Sequence, residues 1–156
     1  MIYVTIGTMY MPFTRLLSAV DEIARDSGEE IVVQTGMDRD IPKHCTCFDF
    51  KSRDEILEIQ SRARLVICHA GIGSVIDALK AGKPLVVAPR LARYREHTND
   101  HQMDLAAAVE RRRWGRMALD MADLPALCAK PPEAPASYKP AKEPLIAAVR
   151  EFLDGI

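Results

Sequence analysis

Short apolar runs alternate with stretches of helical periodicity along most of this chain, and this alternation limits its possible folds more than any other feature. A buried strand followed by an amphipathic helix, repeated several times, is typical of a parallel sheet with helices on both faces. Strands of such sheets are buried on both sides and are therefore mainly apolar. We predict one α/β domain of this kind in residues 1–129.

Six strands and five helical segments are predicted from these runs. The strands are expected at 2–6, 30–35, 46–50, 65–68, 85–88 and 116–118. The helical segments are expected at 13–27, 52–63, 74–81, 101–113 and 123–129. The S-x-x-E spacing of Ser52 and Glu55 predicts a capping box at the start of the second helix.

Residues beyond 129 are predicted to lie outside the sheet domain. Four prolines fall within 130–142, so this stretch is expected to form a semi-rigid spacer. Residues 143–156 are predicted to form an amphipathic helix. Its apolar face consists of Leu145, Ile146, Val149, Phe152 and Leu153. Packing of that face on its own domain and docking on another chain both stay open.

Composition narrows the classes of function. The 156 residues include 21 lysines and arginines against 22 aspartates and glutamates, so the net charge of -1 provides no overall field for nucleic acid. Four cysteines without a paired loop framework indicate free thiols in a reducing compartment. The sequence shows neither an apolar run of membrane-spanning length nor a signal peptide, and we expect a cytoplasmic protein.

The most informative segment follows the fourth predicted strand, where His69, two glycines, a serine and an aspartate come in close succession. Ligands of parallel sheets bind beyond the carboxyl ends of the strands, which is where this segment lies. Gly71 and Gly73 let backbone N–H groups approach a bound group, and Ser74 opens a helix whose N-terminal dipole favours an anion. Asp77, one turn later, can accept two hydrogen bonds from a vicinal diol. Phosphate beside a diol indicates a nucleotide with a ribose.

Other interpretations of this segment stay open on sequence. An S-x-x-D spacing beginning at Ser74 also fits a helix cap, the glycines fit a tight turn, and a histidine after a strand is commonly a packed or solvated residue. A dinucleotide-binding loop is disfavoured, because Ile76 stands where G-x-G-x-x-G requires its third glycine and the loop does not follow the first strand. The first strand ends instead in Gly7 and Thr8, a second turn able to direct N–H groups at phosphate.

Three segments in this order, "VTIGTMYMPFTRL", "HAGIGSVIDALKAGKPLVVAP" and "NDHQMDLA", resemble the C-terminal, nucleotide-sugar-binding half of MurG-like glycosyltransferases of family 28, which have the GT-B fold. The resemblance covers residues 1–129. It is strongest to stand-alone donor subunits, namely the PssE type of bacterial exopolysaccharide synthesis and the soluble half of the eukaryotic transferase that adds the second N-acetylglucosamine to a dolichol-linked sugar. The sheet is accordingly expected to be Rossmann-like.

The resemblance implies roles for particular residues. The implied donor-binding positions are Gly7, Thr8, Gly71, Gly73 and Ser74 at the diphosphate, Asp77 at the uridine ribose, Phe50 and Lys51 at the uracil edge, and Asp100, His101 and Gln102 at the sugar. His69 is also expected to bind the donor. The family usually has glutamate where this chain has Asp77. By sequence alone, Phe50 equally fits a core aromatic and Gln102 an ordinary polar residue at a helix start.

The resemblance also implies the reaction, in which a hexose-type sugar leaves UDP without a metal ion. The departing diphosphate gains negative charge, so N–H groups directed at it bind the transition state more strongly than the ground state. Arg90, Arg93 and Arg95 could assist, although such a cluster is more typical of a solvated surface. A zinc site at Cys45 and Cys47 is rejected, because the C-x-C spacing is too short and no second pair completes four ligands.

A complete GT-B enzyme has a second half that carries the acceptor site, and 156 residues cannot contain both. The resemblance therefore implies a membrane-associated partner of the PssD type, which would bring a lipid-pyrophosphate-linked acceptor and recruit this chain to the inner face of the membrane. The general base is expected on the partner, with His101 and His97 as weaker alternatives. A non-catalytic UDP-sugar-binding sensor or scaffold is the competing interpretation, and the possibility of a homo-oligomer stays open.

Overall fold

A computed structural model describes residues 1–135 and confirms the predicted α/β architecture. Six strands are present, β1 (Ile2–Thr5), β2 (Ile31–Gln34), β3 (Thr46–Phe48), β4 (Leu65–Cys68), β5 (Leu85–Val87) and β6 (Arg116–Met117). Five α-helices accompany them, α1 (Thr14–Ser27), α2 (Arg53–Arg62), α3 (Ile72–Lys80), α4 (His101–Arg111) and α5 (Leu124–Ala129). Single 3-10 turns lie at Ala92–Tyr94 and Met121–Asp123. Residues 136–156, which include the second half of the spacer predicted at 130–142 and the whole terminal helix predicted at 143–156, lie outside the described residues.

The strands form one parallel sheet in the order β3-β2-β1-β4-β5-β6. The chain builds outward from β1 in one direction and, after α2, returns to add β4 on the other side of β1. The point between β1 and β4 is thus the topological switch point, where a crevice opens at the carboxyl ends of the strands in folds of this kind. Thr5 at the end of β1 is in register with Cys68 at the end of β4. The segments that follow both strands therefore begin side by side.

Alternate strand residues enter two apolar layers, as expected for a sheet buried on both faces. One layer packs α1 and α5 against side chains such as Val4, Val33 and Ile67. The other packs α2, α3 and α4 against side chains such as Tyr3 and Val66. The loops beyond the carboxyl ends of the strands form an edge that we call the rim, and they carry exposed side chains such as Tyr10, Phe50 and Tyr94.

The ends of the helices and strands differ in places from the predicted ones, and local interactions determine several of them. The capping box is confirmed at α2, where Ser52 accepts from the Glu55 N–H and the Glu55 carboxylate accepts from the Ser52 N–H. Helix α1 ends at Gly28, whose φ of 65° is left-handed, as glycine permits. Helix α3 begins at Ile72 rather than at Ser74, and β3 ends at Phe48 rather than at residue 50. Among residues 1–135, no helix is long and apolar enough to cross a membrane.

Candidate functional site at the rim

Two turns meet at the switch point, one after β1 and one after β4. The backbone N–H of His69 donates to the carbonyl of Thr5 at 3.1 Å, which joins the two segments directly beyond the strands. Gly7 has a left-handed φ of 77°, and its N–H donates to the Thr5 hydroxyl at 3.2 Å. The structure thus brings together the two glycine turns that the sequence predicted to share one edge of the sheet.

The His69 imidazole lies between these turns. A Cβ atom at Gly7 would lie 2.5 Å from Cε1 of His69, and one at Gly71 would lie 2.1 Å from Nε2. Both glycines are therefore needed to accommodate the ring, whichever ligand binds. Gly73 is different, because a Cβ there would meet nothing within 4 Å. Of the two glycines that follow β4, Gly73 is the one that leaves open space for a ligand.

Burial and a neighbouring cation keep His69 neutral. Burial lowers the pKa of His69 to about 4, and the positive charge of Arg90 acts in the same direction. Its Nδ1 atom is buried and has no hydrogen-bond partner in the described part of the chain. A neutral imidazole carries one N–H donor and one acceptor nitrogen, so His69 can donate one hydrogen bond at neutral pH. The ring thus fills the space between the two turns and also provides a hydrogen-bond donor there.

Helix α3 begins at the rim without a side-chain cap. Its N-cap residue is Gly71, in an extended conformation with φ of -90° and ψ of 131°. Ser74 is the third helical residue, so the alternative interpretation of Ser74 as the N-cap of an S-x-x-D motif is wrong. The N–H groups of Ile72, Gly73 and Ser74 have no carbonyl partner within the helix and point out of its first turn. An uncapped, partly exposed helix start of this kind attracts an anion.

Asp77 lies one turn along α3, and the structure pairs it with a residue that sequence reasoning missed. Arg53, at the start of α2, donates to Oδ1 of Asp77 at 2.7 Å. The Asp77 side chain is only 16% exposed, whereas that of Arg53 is 67% exposed. The ion pair orients the carboxylate beside the start of α3. No spacing in the sequence links the two residues, because α2 and α3 become neighbours only when the sheet forms.

The residues predicted to face a sugar lie at the start of α4. Gln102 is buried, and its Oε1 accepts the backbone N–H of Arg90 at 3.0 Å, so the carboxamide has a defined orientation. Asp100 accepts the N–H of Ala92 at 2.7 Å. His101 lies edge-on to His97, with ring centroids 4.4 Å apart, and its Nδ1 pairs with the Asn99 side chain. Burial and the nearby His101 lower the pKa of His97.

The arginines of the loop after β5 differ from one another. Arg90 is fully buried and its guanidinium donates to backbone carbonyls, so the expectation that it binds diphosphate directly, or lies on a solvated surface, is wrong. Arg93 and Arg95 are exposed. Arg93 packs over the Tyr94 ring at 4.8 Å, which leaves Arg95 as the more available cation.

Phe50 and Lys51 follow β3 at the far end of the same rim. Phe50 is 50% exposed, so the interpretation of this residue as a core aromatic is wrong. Lys51 pairs with Glu55 at 3.1 Å and lies 5.4 Å from the Phe48 ring. Both residues are thus surface groups near the start of α2, on the same side of the sheet as Arg53.

The cysteine pair lies away from the rim. The thiols of Cys45 and Cys47 donate to backbone carbonyls, and burial raises the pKa of Cys45 to about 12. His44 pairs with Asp21 instead of the thiols. Within residues 1–135, no group of three or more His, Cys, Asp or Glu side chains could hold a metal ion.

The sheet order, the turns at its switch point and the uncapped helix define a Rossmann-like domain of the kind that forms half of a GT-B glycosyltransferase. A family model described as "Glycosyltransferase family 28 C-terminal domain" matches residues 1–137, and the chain belongs to this family.

Curated relatives agree with this assignment. The chain is 29% identical over 119 residues to human "UDP-N-acetylglucosamine transferase subunit ALG13", which covers 70% of this chain and 10% of the human protein. The mouse protein of the same name is 31% identical over 122 residues, with the same coverage. "NDP-glycosyltransferase YjiC" of Bacillus subtilis is 26% identical over 107 residues, covering 65% of this chain and 26% of that protein. The chain thus spans about a tenth of the length of its mammalian relatives.

Solved structures show the same fold. An NMR structure of ALG13 superimposes with a TM-score of 0.61 at 21% identity, covering 92% of this chain and 93% of that one. The calicheamicin glycosyltransferase CalG4 gives 0.64 at 18% identity, covering 88% of this chain and 34% of that enzyme. MurG of Acinetobacter baumannii gives 0.54 at 19% identity, with coverage of 81% and 40%.

Proposed function

We propose that this chain binds the UDP-sugar donor of a two-component glycosyltransferase and acts with a membrane-associated partner that holds the acceptor. One observation carries the proposal: the turn at Gly7, the uncapped start of α3 and the carboxylate of Asp77 lie together at the switch point of a family 28 domain. The first two offer N–H groups to a diphosphate and the third accepts from a ribose diol. The mammalian relatives are named as subunits of a UDP-N-acetylglucosamine transferase, which supports UDP as the nucleotide.

In the proposed reaction, the described residues act chiefly on the leaving group. As the bond between the anomeric carbon and the diphosphate oxygen breaks, negative charge builds on the diphosphate, and the N–H groups of Gly73 and Ser74 are positioned to stabilise it. The neutral ring of His69, at the junction of the two turns, donates its N–H to the diphosphate. Gln102 faces the sugar with its amide N–H groups, since its oxygen is engaged by Arg90. We propose that no metal ion takes part.

The partner is proposed from the names of the mammalian relatives, which are called subunits of a transferase, and from the surface of the described residues. Large exposed apolar side chains also follow five neighbouring strands at the rim, namely Tyr10, Met37, Phe50, Ile72 and Tyr94. Several large exposed apolar side chains along one edge of a sheet are typical of a surface that another protein covers.

We further propose that the partner is a PssD-like subunit, that the acceptor is a lipid-pyrophosphate-linked sugar of bacterial exopolysaccharide synthesis, and that the partner recruits this cytoplasmic chain to the inner face of the membrane. The general base would then belong to the partner. His101 is a weaker candidate on this chain, because its ring already contacts Asn99 and His97.

Calorimetric titration with UDP tests the donor site. We expect wild-type protein to bind UDP, and Asp77→Asn to weaken binding about tenfold or more by removing a charged acceptor for the ribose hydroxyls. Asp26→Asn is the matched control, because Asp26 also pairs with an arginine, Arg25, but at the end of α1 remote from the rim. Stronger binding of NAD than of UDP, or equal UDP affinity in all three proteins, would contradict the proposal.

Turnover separates the enzyme from a non-catalytic UDP-sugar sensor. The purified chain, mixed with its membrane-bound partner and a lipid-linked acceptor, is expected to release UDP from UDP-sugar, whereas either component alone should not. Binding of UDP-sugar without release in the reconstituted pair would favour the sensor.

A further inference from the structure

Arg90 is the largest fully buried side chain in the described part of the molecule, and it is charged. Burial lowers its pKa to about 10. Within residues 1–135 its hydrogen-bond partners are backbone carbonyls, its Nε has none, and the carboxylates of Glu96 and Asp38 act on it only as nearby charges. A buried charge held in this way is costly to desolvate, so packing alone is a poor reason for an arginine here.

The guanidinium holds both ends of the first donor-binding turn. Nη2 donates to the carbonyl of Ile6 at 2.9 Å, immediately before Gly7. Nη1 donates to the carbonyl of Met11 at 2.8 Å and, more weakly, to that of Pro12 at 3.3 Å. The cation also lies 4.6 Å from the centre of the Phe13 ring. The intervening residues 7–10, which include Gly7 and Thr8, are thereby fixed at their start and at their end.

The same residue contacts the other side of the site. Its backbone N–H donates to Oε1 of Gln102, which orients the predicted sugar-facing amide. Its Nη1 also donates to the carbonyl of Glu96 at 3.2 Å. The carboxylate of Glu96 is in turn held by Arg15 of α1, through two bonds of 3.0 Å, and by the N–H of Leu91. Arg90 therefore links the turn after β1 to the loop after β5 and to the start of α4.

We propose that Arg90 is a positioning residue, which holds the diphosphate-facing turn at residues 7–10 in a fixed place relative to Gln102 without itself touching the donor. This inference rests on the proposed function and adds to it a residue that sets the geometry between two parts of the donor site. The planar fork of arginine can reach carbonyls on separate segments at once, whereas the single ammonium of lysine cannot hold the same set in one orientation. The nucleoside end of the donor, near Asp77 and Arg53, is not held by Arg90.

Titrations of Arg90→Lys with UDP and with uridine test whether Arg90 affects binding of the diphosphate but not of the nucleoside. Amide spectra recorded with UDP and with uridine would give both affinities and show whether the variant keeps its fold. We expect Arg90→Lys to bind UDP about tenfold more weakly, as when one or two charge-assisted hydrogen bonds are lost, and to bind uridine as the wild type does. Arg25→Lys, the same substitution at an exposed arginine at the end of α1, remote from the rim, is expected to change neither affinity.

Several results would overturn the inference. Unchanged UDP affinity in a folded Arg90→Lys protein would exclude a positioning role, and an equal loss for UDP and uridine would indicate a general structural role instead. If Arg90→Lys does not fold, Glu96→Gln weakens the hold of Arg15 on the same loop and should lower UDP affinity severalfold with no change for uridine; an equal effect on both ligands, or no effect, would contradict the inference. A wild-type chain that binds uridine but not UDP, or binds neither, contradicts the proposed function itself.

Discussion

At the scale of single residues, His69 shows how fold and site depend on one another. Its ring fills the space between Gly7 and Gly71, and a Cβ atom on either glycine would overlap it. The sequence predicted that all three residues belong to the site, from their positions after two strands. It could not predict that they contact each other, because that contact exists only when β4 lies next to β1.

Burial of His69 predicts a pH dependence of stability. The folded pKa of about 4 is below the ordinary value of 6.5, so between these pH values the unfolded chain binds more protons than the folded chain. The free energy of unfolding should therefore be fully retained above pH 6.5 and fall as the pH drops towards 4, with a loss of about 2 kcal/mol between pH 7 and pH 5 from this residue.

Urea unfolding of wild type and His69→Gln at pH 7 and pH 5 measures this effect. The variant lacks the buried imidazole and should lose less stability between the two pH values. Because His97 and the other histidines are present in both proteins, the difference between the two pH dependences belongs to His69. Identical pH dependences would show that His69 is not held neutral by burial.

At the scale of elements, the start of α3 decides whether the rim can hold an anion. The sequence predicted that Ser74 opens this helix and that the glycines before it form a turn. The structure starts the helix after Gly71, which leaves Gly73 and Ser74 in its first turn. Ser74 is therefore not the first residue of the helix. Gly71 is the extended N-cap residue, and the helix begins at the next residue, Ile72.

The two glycines of this turn should respond differently to alanine. Gly71→Ala places a Cβ atom against the His69 ring and should lower the melting temperature by several degrees, as a contact in a packed site would. Gly73→Ala enters open space within a helix and should leave the melting temperature unchanged or slightly higher. The same Cβ would occupy the proposed phosphate site, so UDP affinity should fall in Gly73→Ala.

Thermal unfolding and UDP titration of both variants provide the check. Lower UDP affinity without lower stability in Gly73→Ala would show that Gly73 faces the ligand, whereas Gly71 faces His69. A large drop in melting temperature for Gly73→Ala, or unchanged UDP affinity in that variant, would contradict the placement of the anion at the start of α3.

At the scale of the whole molecule, the alternation of strands and helices was enough to predict an α/β fold with a parallel sheet. The strand order follows from how β4 returns to the other side of β1, which no local periodicity records. The same limit applies to Arg53 and Asp77, and to Arg90 and the turn at residues 7–10, since these pairs are distant in sequence. Local spacing therefore predicted the glycine turns and Asp77, and the family resemblance added the candidates near β3 and α4, whereas the residues that orient these groups became evident only from the fold.

The described structure also contains a groove at a different place. A volume of about 560 Å³ lies between α1 and α5, bordered by side chains such as Ala19, Ile23, Pro125 and Cys128. Its lining includes the carboxylates of Glu22, Asp26 and Glu29, which disfavour a diphosphate, and no glycine turn borders it among the described residues. The central claim is that the nucleotide binds at the rim and not in this groove.

Hydrogen exchange, measured by mass spectrometry on the whole chain with and without UDP, tests that claim most directly. The account predicts that UDP slows exchange in peptides covering residues 5–10 and 69–78, and leaves exchange in peptides covering 18–27 and 121–129 unchanged. Protection confined to the two groove peptides, or no protection in any peptide at saturating UDP, would contradict it.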